Sequence, residues 1–232
     1  MRAAQAKVRS VQGEARISVE AQGPSGTVGQ FLAAERPGRL HVETLDFFGN
    51  VAAVLVAADG RFALLDQREK VFYRGRATPE NLARLVPLPL TAEELVAVLC
   101  GGAPLDGAPV AAEPGRGTVR LDLAGPAGEA TLHVGEGAAI ERAEVRPAGR
   151  PAWSVRGDVW RQHAGARLPT DLELRSTSPR VKLSLHWKDL EVNGALDPAL
   201  FRLEPPPGAR IVDLDGSPPP SPDPATHRAD PG

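Results

Sequence analysis

Alternation of apolar and polar residues constrains this chain more than any other feature. Segments of roughly eight to twelve residues recur along it with Gly- or Pro-containing turns between them, which is typical of an all-β sandwich or barrel. In 180–188, for example, Val181, Leu183 and Leu185 face one side while the charged and polar residues between them face the other. The pattern predicts about ten or eleven strands, and the short turns imply antiparallel pairing.

One helical insert interrupts these strands at 78–102. Thr78 before Pro79 marks the start of a first helix, and Thr91 with Glu94 forms the capping box of a second. A Leu-Pro repeat at 87–90 separates the two. Because a sheet with one apolar face needs a cover, we expect the insert to act as a lid.

The expected fold is therefore mainly β: an incomplete antiparallel β-barrel with a short helical lid over its concave apolar face. Nothing in the pattern separates two domains, so residues 1–216 are expected to form a single domain. From 217 to 232 the sequence is Pro-rich, which predicts a disordered or extended tail.

Composition excludes several classes of function. The net charge is −2 with no basic run, which argues against a nucleic-acid surface. Cys100 is the only cysteine, and none of the five histidines has a second ligand at metal spacing. No nucleophile elbow, phosphate-binding loop or dinucleotide fingerprint occurs. Asp171 and Glu173 alternate with apolar residues as a solvated face does. We expect no cofactor, no metal and no catalysis.

An apolar turn stands out at 45–50, where Leu45, Phe47 and Phe48 fall between two predicted strands. A turn at this position should be polar. Two interpretations remain open. Either one Phe packs in the core and the other lies at the sheet end, or both form an exposed tip that contacts a partner or a bilayer interface.

Several short pieces of the chain resemble the LolA/LolB lipoprotein-localisation family, and its LolB branch of outer-membrane lipoprotein receptors more closely. They are the segment from Arg39 to the tip at Phe48, the Asp59-Gly60 hairpin, the Leu-Pro-Leu helix pair ending at Gly101, and the strand at 180–188. The resemblance implies a half-barrel whose helices cover an apolar cavity that binds lipoprotein acyl chains without catalysis.

The resemblance also implies where the sites lie. Position assigns Leu45, Phe47 and Phe48 to the loop that delivers cargo into the membrane. The implied partners are lipoprotein acyl chains, a LolA-like periplasmic carrier and the inner leaflet of the outer membrane. A dry core is the alternative interpretation of the apolar residues that we expect to line the cavity. These are Leu40, Val42, Val54, Leu82, Leu95, Leu99, Leu121, Leu132, Leu172, Leu183 and Leu185.

Two features depart from the family. Val98 stands where the lid helix usually carries Trp, and neither a signal peptide nor a lipid-modified cysteine is present. The expected location, the periplasmic face of the outer membrane, therefore implies that a native leader and anchor are missing from the sequence as it stands; a cytosolic location is the alternative.

The main functional alternative is a structural or protein-binding envelope module with a filled core. An enzyme would be favoured by two carboxylates, or a His–acid pair, converging in a cleft.

Overall fold

The computed structural model describes residues 7–21, 25–103, 107–115, 117–163 and 165–215. The predicted Pro-rich tail at 217–232 lies outside them. Two α-helices occur in this part of the chain, α1 (Pro79–Leu82) and α2 (Ala92–Leu99), with single 3₁₀ turns at Glu136–Ala138 and Pro198–Phe201. The strands are β1 (Ser10–Ala21), β2 (Gly26–Glu35), β3 (Arg39–Leu45), β4 (Val51–Ala58), β5 (Arg61–Asp66), β6 (Val71–Arg76), β7 (Ala108–Pro114), β8 (Val119–Gly125), β9 (Gly128–Val134), β10 (Ile140–Pro147), β11 (Trp153–His163), β12 (Ala166–Thr177), β13 (Arg180–Trp187), β14 (Glu191–Val192) and β15 (Arg210–Asp213).

All these strands belong to one sheet, in the order β15-β6-β5-β4-β3-β2-β1-β13-β12-β11-β10-β9-β8-β7. The short β14 pairs with the first residues of β1. Every pair is antiparallel except β15 with β6. The two chain halves, β1–β6 and β7–β13, join where β1 pairs with β13. The sheet is open and does not close into a barrel. The predicted class, a mainly β incomplete barrel with a short helical element, is confirmed.

The sheet has more strands than the ten or eleven expected, because its edges carry no readable pattern. The Gly/Ala/Pro-rich composition of residues 102–117 is typical of a connection, yet β7 lies within them, and all seven of its residues are exposed. Strand β15 has four residues and pairs with β6 across a sequence separation of more than 130 residues. Neither strand has the half-buried alternation that marks an inner strand.

The helices pack on one face of the sheet, which we call the inner face. Both begin as expected. The Thr78 hydroxyl accepts a hydrogen bond from the Asn81 amide at 3.3 Å, and Thr91 and Glu94 form the reciprocal capping box at 3.1 and 2.8 Å. In α2 every residue except Glu93 is buried. Its apolar side chains join those of α1 and of the sheet in one continuous buried cluster.

The outer face is covered in part by the segment that follows β14. Phe201 is buried there, with the Arg39 guanidinium 4.3 Å from its ring centre. The ring nitrogen Nδ1 of His41 donates to the Leu200 carbonyl at 2.6 Å. Val54 and Val56 of β4 lie on the same outer side as His41, since they alternate with the inner-face residue Leu55. The sheet therefore has a second, smaller apolar layer behind it.

Candidate functional site

Most of the predicted cavity residues meet on the inner face. Nine of the eleven belong to the buried cluster between sheet and helices, and none of the nine is more than 8% exposed. Leu121 is half-buried and packs against the cluster. Val54 does not take part: it faces outward, toward the segment that carries Phe201. The nine are Leu40, Val42, Leu82, Leu95, Leu99, Leu132, Leu172, Leu183 and Leu185.

Lid side chains pack against this face. Leu82, Leu95 and Leu99 occupy the space against the sheet, and Val98, at the position where the family usually carries Trp, is 1% exposed. The Leu-Pro repeat is packed as well, because Leu88 and Leu90 are also in the cluster. An acyl chain that took the place of these buried side chains would displace the helices that carry them.

An ion pair ties the lid to the sheet. Arg150, in the turn between β10 and β11, donates from both terminal nitrogens to the two carboxylate oxygens of Glu94, at 2.6 and 2.9 Å. The same guanidinium donates to the Pro89 carbonyl at 3.1 Å. The hydrogen bond to Glu94 raises the pKa of Arg150. Because Glu94 also caps α2, Arg150 holds both the Leu-Pro repeat at 87–90, through the Pro89 carbonyl, and the start of α2.

The apolar turn is an exposed tip. Phe47 is 97% and Phe48 85% exposed, and the two rings pack edge to face with centroids 5.6 Å apart. The Asp46 carboxylate accepts hydrogen bonds from the Phe48 and Asn50 amides, each at 2.8 Å, which lowers the pKa of Asp46. Gly49 closes the turn with a φ of +84°. Of the two interpretations of this turn, exposure of both rings is the one observed.

Leu45 belongs to the base of this loop rather than to its tip. Its side chain lies over Gly29 of the neighbouring β2. The loop therefore consists of a packed base and two rings held in water by the hydrogen bonds of Asp46. Two Phe rings left in water forgo the free energy that their burial would contribute, so their exposure does not stabilise the fold.

A polar groove of about 300 Å³ crosses the outer face of β1, β13, β12 and β11. In it His186 Nδ1 lies 2.7 Å from a carboxylate oxygen of Asp171. The side chains of this pair are 59% and 36% exposed, and the other imidazole nitrogen holds no hydrogen-bond partner among the described residues. Beside it, the hydrogen bond from Arg175 lowers the pKa of Glu173. The pair is solvated, and no hydroxyl or thiol within the described ranges is hydrogen-bonded to His186.

The described ranges contain neither a cluster of metal-ligating side chains nor a membrane-spanning helix. No three His, Cys, Asp or Glu side chains there come close enough to hold a metal ion. Neither helix has the length and apolar content needed to cross a bilayer.

Comparison with known proteins gives no matching family model and no match among curated proteins. Solved structures do match over most of both chains. A LolA superfamily protein from Nitrosomonas europaea is 12% identical, with a TM-score of 0.61, and covers 87% of this chain and 97% of its own. A domain named for outer-membrane lipoprotein sorting, from Vibrio parahaemolyticus, is 9% identical, with a TM-score of 0.61 and coverages of 86% and 93%.

A DUF1329 family protein from Desulfovibrio piger is similar to the same degree: 12% identity, a TM-score of 0.60, and coverages of 87% and 96%. At these identities the likeness is one of fold. The chain shares its fold with LolA superfamily and lipoprotein-sorting proteins.

Proposed function

We propose that this protein binds the acyl chains of lipoproteins on its inner face and delivers them to the outer membrane, in the manner of LolB and without catalysis. The observation that carries the proposal is the apolar inner face closed by a lid of two short helices, each with its own cap. The shared fold supports it.

The energetics fit a carrier. Each methylene buried contributes about 0.8 kcal/mol, so an acyl chain of some sixteen carbons offers on the order of 10 kcal/mol. The lid to be displaced holds helices of only four and eight residues. An acyl chain can therefore replace the lid side chains of the cluster while the hydrogen bonds of the sheet stay intact.

The exposed tip fits delivery. Each Phe ring buried in a bilayer interface contributes about 1.5–3 kcal/mol, which supports transient docking but not permanent anchoring. We propose that Phe47 and Phe48 touch the inner leaflet of the outer membrane from the periplasmic side, and that a LolA-like carrier supplies the cargo. Leu45 supports the loop from beneath.

We also propose that residues 1–216 act as one domain. The pairing of β1 with β13 makes both halves of the chain part of a single sheet, and each half contributes to the inner-face cluster.

Acyl binding and delivery can be tested together. A fluorescent fatty-acyl probe titrated into the protein should gain emission and saturate at one site. In a transfer assay to vesicles of outer-membrane phospholipids, Phe48→Glu should slow lipoprotein insertion about ten-fold or more, because it replaces an inserting ring by a charge. Val110→Glu, a change at another exposed apolar residue, is the matched control and should transfer normally.

Equal rates of lipoprotein transfer by the wild type and Phe48→Glu would contradict a role of the tip in delivery. A second candidate, a structural or protein-binding envelope module, is favoured by the burial of the lid side chains in the inner-face cluster. Failure of the wild-type protein to take up any acyl probe would support that alternative over lipid binding.

A further inference from the structure

One polar atom inside the apolar cluster has no hydrogen-bond partner among the residues that the structure describes. Trp153, the first residue of β11, is 3% exposed and belongs to the cluster on the inner face. Its indole nitrogen Nε1 is enclosed by protein, and no described residue accepts a hydrogen bond from it. An indole N–H is a donor only, so it needs an acceptor.

The cross-strand neighbour of Trp153 adds a second polar group. Ser176 of β12 pairs directly with Trp153, so the two side chains share the inner face. Ser176 is 4% exposed; its hydroxyl lies 3.5 Å from the Ala152 carbonyl, at the limit of a hydrogen bond, and accepts a hydrogen bond from the Ser178 amide at 3.3 Å. The Ser176 O–H is therefore only weakly engaged as a donor, and it shares the inner face with the Trp153 indole beside the turn that carries Arg150.

A buried indole N–H without an acceptor lowers the stability of the protein when no ligand is bound. A buried donor without an acceptor costs about 1–3 kcal/mol, and most buried N–H groups are paired for that reason. The surroundings are apolar, so the missing acceptor should be neutral and carried on an apolar ligand. An ester or amide carbonyl at the head of an acyl chain has both properties.

We infer that the carbonyl of a bound acyl group accepts a hydrogen bond from the Trp153 indole, with the Ser176 hydroxyl as the second donor. This inference rests on the proposed acyl binding and adds the class of ligand: chains that carry an ester or amide carbonyl, in preference to plain alkyl or ether-linked chains. The carbonyl then lies beside the turn at 148–152, and the chain runs inward along the sheet.

The test compares two fluorescent lysophospholipids that differ only in an ester or ether link to the same chain. Wild-type protein should bind the ester roughly three- to ten-fold more tightly, the range expected for one hydrogen bond. Trp153→Phe keeps an aromatic side chain, although a smaller one, and removes the donor, so the preference for ester over ether should fall to about one. Trp187→Phe is the matched control: Trp187 is equally buried on the same face and should leave the preference intact.

Two spectroscopic signals report the same contact in the unmutated protein. The stretching frequency of a ¹³C-labelled ester carbonyl in the complex should lie below that of the same lipid in an aprotic apolar solvent, and the Trp153 indole resonance in a ¹H–¹⁵N spectrum should move downfield with the ester but not with the ether. Equal affinity for ester and ether, with the bound carbonyl at its apolar-solvent frequency and the indole resonance unmoved, would overturn the inference while acyl binding stands. Absence of binding by either lipid would instead overturn the proposed function.

Discussion

Cys100 shows how strongly the lid is buried. It follows the last residue of α2, is 1% exposed, and burial raises the pKa of its thiol from 9.0 to about 11. The native thiol should therefore resist iodoacetamide at pH 8 and react only when the protein opens. Wild-type protein should label no faster than the lid opens, in step with amide exchange in α2; rapid labelling without denaturant would contradict the packed lid.

The same pKa makes stability depend on pH. Below pH 9 the thiol is protonated in both states and contributes nothing. Between about pH 9 and 11 the unfolded chain loses its proton while the folded chain keeps it, so the free energy of unfolding falls by about 1.4 kcal/mol per pH unit. Urea titrations at pH 8, 9.5 and 10.5 should show this extra loss relative to Cys100→Ala, which lacks the ionisable group; parallel curves would contradict it.

At the scale of residues, the face of a side chain was predictable where apolar and polar residues alternate. Alternation assigns Val42, Leu132 and Leu183 to the apolar face of their strands, and all three lie in the inner-face cluster. Val54 was assigned to the wrong face because β4 reads Val-Ala-Ala-Val-Leu-Val-Ala-Ala, which has no polar phase to mark its outward side. The unpaired indole of Trp153 could not have been foreseen, since a missing acceptor is a property of the packed interior.

Among the elements, the lid was the most predictable. Thr78, Thr91 and Glu94 form local caps, and local hydrogen bonds can be read from spacing. The contact of Glu94 with Arg150 could not, because the two residues are 56 positions apart and an arginine in a turn has many solvated alternatives. The edge strands β7 and β15 were not predicted because neither has a buried face that would require apolar residues at every second position. All seven residues of β7 and three of the four in β15 are exposed.

Arg150 gives a prediction about the lid. Arg150→Met removes both hydrogen bonds to Glu94 and leaves a buried carboxylate without its cation, at a cost of about 1–3 kcal/mol to lid closure. Amide exchange in α2 should speed up by one to two orders of magnitude while exchange in β12 and β13 stays unchanged. Acyl probe uptake should become faster. Hydrogen exchange with mass spectrometry reads the first effect, and stopped-flow fluorescence the second.

Arg146→Met is the control for that experiment. Arg146 is exposed, is the last residue but one of β10, and lies 3.8 Å from Glu144 in a solvated pair. Exposed pairs of this kind contribute about 0–1 kcal/mol, so exchange in α2 should not change. Equal exchange in α2 for Arg150→Met and the wild type would show that the ion pair does not hold the lid.

For the whole molecule, the open sheet gives each face a different role. The inner face carries the lid and the buried cluster, and the outer face carries the polar groove and the segment around Phe201. The tip at Phe47 and Phe48 projects from the end of the sheet where β3 turns into β4. The class of fold was predictable from the recurrence of short strands, whereas the order of strands depended on the long-range pairing of β1 with β13.

Photo-crosslinking of a diazirine-bearing fatty acid, followed by mass spectrometry of the labelled peptides, tests the central claim most directly. Acyl binding between lid and sheet predicts labels on inner-face residues such as Leu95, Leu132 and Leu183, competed by unlabelled acyl lipid. Labels confined to the outer face or to the tip, with α2 and the inner-face strands unlabelled, would contradict it.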